Sequence, residues 1–278
     1  MIPAEFDYVA PASLDEALAA LREGGEDAKL LAGGHSLLPL MKLRLAAPTL
    51  LVDLRKCGLT GVTRENGTAR FGAMTRHTDV ATGGFGLASA AAATIADQQV
   101  RNMGTLGGTL AHGDPASDMP AVLLACDGSV VARGGSGERE IAAGDLFEDY
   151  LTTSLAPEEI ITEVRLPLME GYGYGYEKFN RRQEDWAMVA VCALVSKGAD
   201  GSCEDVRIGL THMGSTPLRA TAAENALRGQ ALSAEAIAAA AEQAAEGTEP
   251  PADLNASADY KRHLARVLTK RALEAASQ

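Results

Sequence analysis

Two glycine pairs constrain this chain more than any other feature: Gly33-Gly34 within Leu31-Ala-Gly-Gly-His-Ser36, and Gly107-Gly108 within Arg101-Asn-Met-Gly-Thr-Leu-Gly-Gly-Thr109. Where side chains are missing, consecutive backbone N–H groups can approach a diphosphate closely, and a following helix start adds a favourable dipole. The first pair sits in a strand, glycine turn, helix, strand pattern. Ser13 and Glu16 supply a capping box, Leu14, Leu18 and Leu21 keep the helical period, and Gly24-Gly25 ends that helix. Lys29–Ala32 then reads as a short buried strand, Gly33–Ser36 as a turn into the apolar segment 37–45, and Thr49–Leu54 as a second strand. Alone, such a Gly-Gly also describes a mere tight turn. The second loop, flanked by the hydroxyls of Thr105 and Thr109, equally describes a bulge. Together, on different subdomains, the two suggest an extended dinucleotide gripped from two sides.

From Thr60 to Leu168 the pattern changes to short glycine-punctuated strands, such as Ala69–Ala73 and Ser129–Arg133, with helices over 87–96 and Met119–Ala125. Ile160–Leu166 is a strand with its charges alternating outward, closed by Pro167. Tyr172-Gly-Tyr174-Gly-Tyr176 fits an aromatic strand with glycine on the opposite face. Beyond it, Trp186–Ser196 and Val206–Met213 are β-type runs joined by the Gly198–Gly201 turn. Helices are expected over Ala220–Leu227, Ala234–Ala245 and Ser257–Ala276, the last with Tyr260, Leu264, Val267 and Leu268 on one face. The overall class is α+β.

Few other residues carry a chemical signal. His112-Gly-Asp114-Pro-Ala-Ser-Asp118 has metal-like spacing but no clear third ligand, and reads as a turn capping the next helix. A carboxylate there could instead accept from a ribose hydroxyl or a nucleobase amine. Lys178 with Arg181-Arg182 is a cationic cluster beside Glu177, Glu184 and Asp185, read as largely solvated. His77, His212 and His263 are expected to be structural or surface residues, and Trp186 a core anchor. No Ser-His-Asp order, GxSxG or paired catalytic carboxylates stand out, so no catalytic side chain and no metal site are assigned.

Composition narrows the partners. A net charge of −12, from 25 Lys plus Arg against 37 Asp plus Glu, disfavours nucleic acid or anionic membranes as partners, so an anionic ligand needs a local site. Distant carboxylates matter little to such a site, being screened beyond about 8–10 Å. Cys57, Cys126, Cys192 and Cys203 form no CxxC, zinc or iron–sulfur spacing. No signal peptide or membrane span is recognised, which makes the expected location cytoplasmic.

The segments Leu31–Leu37, Gln99–Gly108, Asp114–Pro120, Glu158–Ile161, Arg181–Ala187 and Tyr260–Leu268, in this order and spacing, resemble the FAD-binding medium subunit of the molybdenum hydroxylases. Carbon monoxide dehydrogenase and bacterial xanthine dehydrogenase belong to this group. The resemblance covers essentially the whole chain. It implies the FAD-binding fold of the vanillyl-alcohol oxidase (PCMH) type in two subdomains, residues 1–56 and 57–176. A C-terminal flavoprotein domain, 177–278, with a three-stranded antiparallel sheet and helices would follow. FAD would lie between these parts. Leu31, Ala32, Gly33, Gly34, His35, Ser36 and Leu37 would line the diphosphate, and Thr105, Gly107 and Gly108 would close on it. Thr109 stands where many relatives have Asn. Asp118 would hold the ribose or adenine end, Ile161 would pack on the flavin, and Lys178 would lie near its polar edge; Ile95 matches a position aromatic in some relatives.

The resemblance further implies partners: a small subunit with two [2Fe-2S] clusters, a large molybdopterin subunit, and a dimer of these heterotrimers. FAD would be the cofactor of this chain alone, passing electrons to NAD⁺, a quinone or another acceptor. Two rival readings are a free-standing FAD-dependent oxidase or reductase of the same fold, which would turn over a substrate without partners, and a non-catalytic assembly protein with vestigial loops, which would not take up FAD.

Overall fold

The computed structural model describes residues 2–278. Its first unit comprises β1 (Asp7–Val9), α1 (Leu14–Gly24), β2 (Ala28–Leu31), α2 (Leu37–Leu43) and β3 (Leu50–Asp53), with the strands in a parallel sheet of order β1-β3-β2. The capping box forms: Ser13 Oγ accepts from the Glu16 N–H at 3.2 Å, and the Glu16 carboxylate accepts from the Ala12 N–H at 2.8 Å. That start orients α1 so that Ala17 and Leu21 pack with Val52 and Leu54.

The second unit comprises β4 (Val62–Glu65), β5 (Thr68–Gly72), α3 (His77–Thr82), α4 (Leu87–Ala93), α5 (Gln98–Arg101), α6 (Leu106–His112) and α7 (Asp118–Ala125). It continues through β6 (Ser129–Gly134), β7 (Gly137–Ala142), α8 (Ala143–Leu146), β8 (Phe147–Asp149), β9 (Thr152–Thr153) and β10 (Ile160–Pro167). Its main sheet is antiparallel, ordered β4-β5-β10-β6-β7. Glu163 and Arg165 leave the core as their alternation requires, but the register of β10 against β6 shifts between Ile161 and Glu163. An irregularity of this kind re-aims side chains. Here Ile160 joins the core of the first unit while Ile161 joins that of the second.

The third unit holds β11 (Tyr172–Phe179), β12 (Val189–Lys197), β13 (Cys203–Thr211), β14 (Leu218–Arg219), α9 (Thr221–Leu227), α10 (Ala234–Glu242) and α11 (Ala258–Ala276). Its sheet has the three long antiparallel strands expected plus the two-residue β14 on the edge. The expected boundary at 176/177 falls inside β11, which pairs with β12 from Tyr172 to Phe179; the whole strand therefore belongs to this unit. Gly173 and Gly175 face α11, where a Cβ on Gly175 would lie 2.9 Å from the Ala272 carbonyl carbon. The alternating glycines thus let a helix sit directly on the strand backbone.

One face assignment is corrected. α11 buries Lys261, Leu264, Ala265, Leu268, Thr269, Ala272, Leu273 and Ala276, whereas Tyr260 is 43% exposed and Val267 only half-buried. A lysine was not expected on the inner face; it lies there because the partly exposed Asp253 carboxylate and the His212 imidazole receive its ammonium. α7, buried along nearly its whole length, packs on the sheet of the third unit, and Gly209 permits it: a Cβ there would lie 2.5 Å from the Ala121 carbonyl oxygen. The second and third units share one core, to which Cys192 and Leu194 of β12 contribute.

Candidate cofactor site

A cavity of about 500 Å³ opens where the three units meet. Of the residues expected at a cofactor, Ala32, Gly33, Gly34, His35, Ser36, Leu37, Thr105, Gly107, Gly108, Thr109, Asp118, Ile161 and Lys178 all line it. Leu31 does not. It is the last residue of β2, and its side chain points the other way, into a cluster with Met41 and Leu51. Successive side chains of a strand take opposite faces, so Leu30 and Ala32 line the cavity and Leu31 cannot.

The two glycine loops touch back to back. A Cβ on Gly33 would overlap the Met103 carbonyl and lie 2.8 Å from Gly104 Cα; one on Gly104 would lie 2.7 Å from His77 Cδ2. Gly34 has φ +75°, the left-handed region that glycine enters without strain. Their donors differ. Among the described residues, the backbone N–H groups of Gly33, Gly34, His35 and Ser36 have no acceptor within the chain, a run of free donors such as anions bind. The second loop uses its own: the Leu106 N–H donates to the Thr75 carbonyl at 2.9 Å, and Gly107 to Ala73 at 2.8 Å. Gly108 donates to Thr105 Oγ1 at 3.3 Å, which leaves the Thr105 hydroxyl proton available. The two loops therefore differ in what they can offer a ligand. The first loop presents backbone donors, and the second supplies a hydroxyl and the close packing its glycines allow, since a Cβ on Gly107 would lie 2.5 Å from Ala73 Cβ.

Asp118, Lys178 and Tyr176 form a buried cluster in the cavity wall. Lys178 Nζ donates to Asp118 Oδ2 at 2.9 Å and to the Thr94 carbonyl at 3.4 Å, while the Tyr176 hydroxyl donates to Asp118 Oδ1 at 2.5 Å. Burial, then the Asp118 charge, pushes the Tyr176 phenol well above its ordinary range, so it stays a donor. Asp118 and Lys178 thus share one corner of the wall, and Lys178 is not part of a solvated charge run. Arg182 is: it pairs with Asp185 at 2.8 Å with its side chain 78% exposed.

Three features of the site escaped the sequence. His77, at the start of α3, lines the cavity, and burial followed by the nearby His35 lowers its pKa to about 4. Its Nδ1 and the Oγ of Ser117 are buried polar atoms without a partner, the kind of groups a polar ligand satisfies. Trp186 is not a core anchor. It is 52% exposed and lines the cavity from the loop between β11 and β12, together with Glu184 and Asp185. No sequence signal set His77 apart from a structural histidine, and a lone Trp in a charged run gave no direction at all. Among the described residues, no group of His, Cys, Asp and Glu could hold a metal ion, and no helix is long and apolar enough to cross a membrane.

The chain matches known families along nearly its whole length. Residues 4–169 match the family described as the FAD binding domain in molybdopterin dehydrogenase, and residues 174–276 match the CO dehydrogenase flavoprotein C-terminal domain. The chain is 43% identical to the carbon monoxide dehydrogenase medium chain of Hydrogenophaga pseudoflava, covering 99% of this chain and 98% of the relative. It is 40% identical to the 6-hydroxypseudooxynicotine dehydrogenase complex subunit alpha of Paenarthrobacter nicotinovorans, covering 98% and 95%. Among solved structures, carbon monoxide dehydrogenase from Hydrogenophaga pseudoflava superposes with a TM-score of 0.95 at 44% identity, covering 99% and 98% of the two chains. Quinoline 2-oxidoreductase from Pseudomonas putida 86 gives 0.95 at 33% identity, covering 100% and 99%.

Proposed function

This chain belongs to the family of FAD-binding medium subunits of molybdopterin dehydrogenases, and from that premise we propose that it is the electron-exit subunit of a heterotrimeric molybdenum hydroxylase. The observation that carries the reading is the run of free N–H groups at Gly33–Ser36, backed by the second glycine loop. In this proposal those groups and the Ser36 hydroxyl hold the diphosphate of FAD, with the Thr105 hydroxyl closing from the other side. The N–H donors serve the anion without a neighbouring arginine, which suits a wall whose cations are few. Ile95 and Ile161 offer apolar surface for a ring of the cofactor, and Trp186 covers the cavity from the third unit. The Asp118–Lys178–Tyr176 cluster keeps its charge balanced, so that corner excludes water without an unpaired ion.

Bound FAD supplies the redox chemistry, able to take one or two electrons, which suits a subunit set between the [2Fe-2S] clusters of a small partner and an acceptor such as NAD⁺ or a quinone. Oxidation of the substrate itself falls to molybdopterin in a large partner. In this proposal no acid or base is required of this chain, because the flavin itself carries the redox step. The test is to purify the native complex, count its chains, assay Mo, Fe and FAD, and compare NAD⁺ with a quinone in reoxidising the reduced enzyme. Three kinds of chain with all three components are expected; an active preparation without Mo and Fe would overturn the proposal.

A further inference from the structure

Trp186 stands between two spaces. On one side is the cofactor cavity; on the other is a second cleft of about 250 Å³ whose wall includes Arg181, Met188, His212, Asp253 and Asn255. A cleft of that size holds several waters, at roughly 30 Å³ each, so packing on that side does not by itself fix the indole. The segment that carries Trp186 is held in part by a chain of polar contacts that runs inward from Asp253, whose side chain is 32% exposed, to Lys261. Asp253 Oδ1 accepts from the Asn255 N–H at 2.7 Å and the Ala256 N–H at 3.0 Å, and its Oδ2 accepts from Lys261 Nζ at 2.7 Å. Lys261 is fully buried. Its Nζ also lies 3.2 Å from His212 Nε2, and His212 Nδ1 lies 2.8 Å from the carbonyl oxygen of Ala187, the residue after Trp186.

The donor inventory fixes the direction of this chain. An ammonium only donates, so His212 Nε2 accepts; the ring proton is then on Nδ1, where it donates to the Ala187 carbonyl. Burial, then the Lys261 charge, keeps the imidazole neutral against the Ala187 hydrogen bond. Burial opposes ionisation of Asp253, yet Lys261 and the two backbone N–H groups hold its carboxyl at about 2. His212 itself has φ +64°, uncommon for a residue with a side chain, and its N–H donates to the Pro115 carbonyl at 2.8 Å. Its backbone therefore reaches the segment that leads to Asp118, while its ring reaches the segment that carries Trp186.

We propose that Lys261, acting through His212, is a positioning residue that sets Trp186 on the wall of the cofactor cavity. The inference rests on the reading of that cavity as the FAD site, but its test does not need FAD. Trp186 is the single tryptophan of the 278 residues, so the emission of the full chain reports on it alone. Lys261→Met removes the donor to Nε2. His212→Asn tolerates the left-handed backbone but is too short to reach the Ala187 carbonyl. Each variant is expected to shift the Trp186 emission to longer wavelength and raise its quenching by acrylamide, and the double variant is expected to add nothing further. Leu264→Ala, which removes core volume from the same helix without touching the chain of contacts, is the control that leaves the emission unchanged.

A second measurement, in the assembled complex, is FAD release, expected to be faster in both variants. Unchanged emission and quenching in folded His212→Asn would overturn the proposal, as would equal shifts in the Leu264→Ala control. If Lys261→Met does not fold, His212→Asn alone decides. A wild-type complex without FAD would sink the cofactor reading and leave the emission result standing.

Discussion

His77 shows how much one residue at the site governs. Its folded-state pKa of about 4 lies below the ordinary 6.5 because burial opposes the imidazolium. The unfolded chain therefore binds the extra proton first. The stability His77 contributes is full above pH 6.5 and is lost as pH falls through 4, by about 3 kcal/mol in all. Urea midpoints of the chain measured across that window should fall, and His77→Gln should flatten the decline; an unchanged slope would contradict it. Asp118 and Lys178 make a second prediction at this scale. Their side chains are 5% and 6% exposed, so either Asp118→Asn or Lys178→Met should lower unfolding stability by about 3–5 kcal/mol. Removing both as Asp118→Leu with Lys178→Met should cost much less than the sum, as a double-mutant cycle in urea would show. Neither the burial of His77 nor the Asp118–Lys178 contact was legible in the sequence. The first depends on Gly104 approaching its ring, and the second joins residues from different units.

Elements were more legible, because their signals are local. The capping box at Ser13 and Glu16, the helical period of α1 and the glycine-punctuated strands β5 and β6 stand close to where the residues placed them. β11 is the clearest case. Tyr-Gly alternation implied a strand with a bare face, and α11 covers that face. Gly175→Ala should therefore destabilise the chain by about 2 kcal/mol or more, since the new Cβ meets the Ala272 carbonyl group of a well-packed helix. A lowered urea midpoint with an unchanged slope would be the observation; no change would mean that α11 can move away. What failed at this scale was the rotation of α11 by about one position. Polarity alone put Lys261 outside, and only the tertiary partners Asp253 and His212 explain why it is inside.

For the whole molecule, the sequence spoke through the order of its motifs more than through any one of them. Each glycine pair alone was consistent with a simple turn. Their meeting in space, Gly33 against Met103 and Gly104, is what makes a single cavity of them. The asymmetry of the two loops stayed hidden, because whether an N–H is free depends on which carbonyl folds opposite it, as Ala73 does for Gly107. In the proposed site the donors are backbone groups, so the net charge of −12 does not stand against an anionic cofactor.

The central claim is that the run Gly33–Ser36 holds the diphosphate of FAD only because Gly33 lets the two loops meet. The direct measurement is the FAD content of the purified complex, per copy of this chain, for wild type and for Gly33→Ala. The account predicts about one FAD per chain in wild type and at least a tenfold loss of affinity, about 1.4 kcal/mol, in the variant, with Mo and Fe unchanged. Full FAD retention in Gly33→Ala, in a complex with its metal content intact, would contradict it.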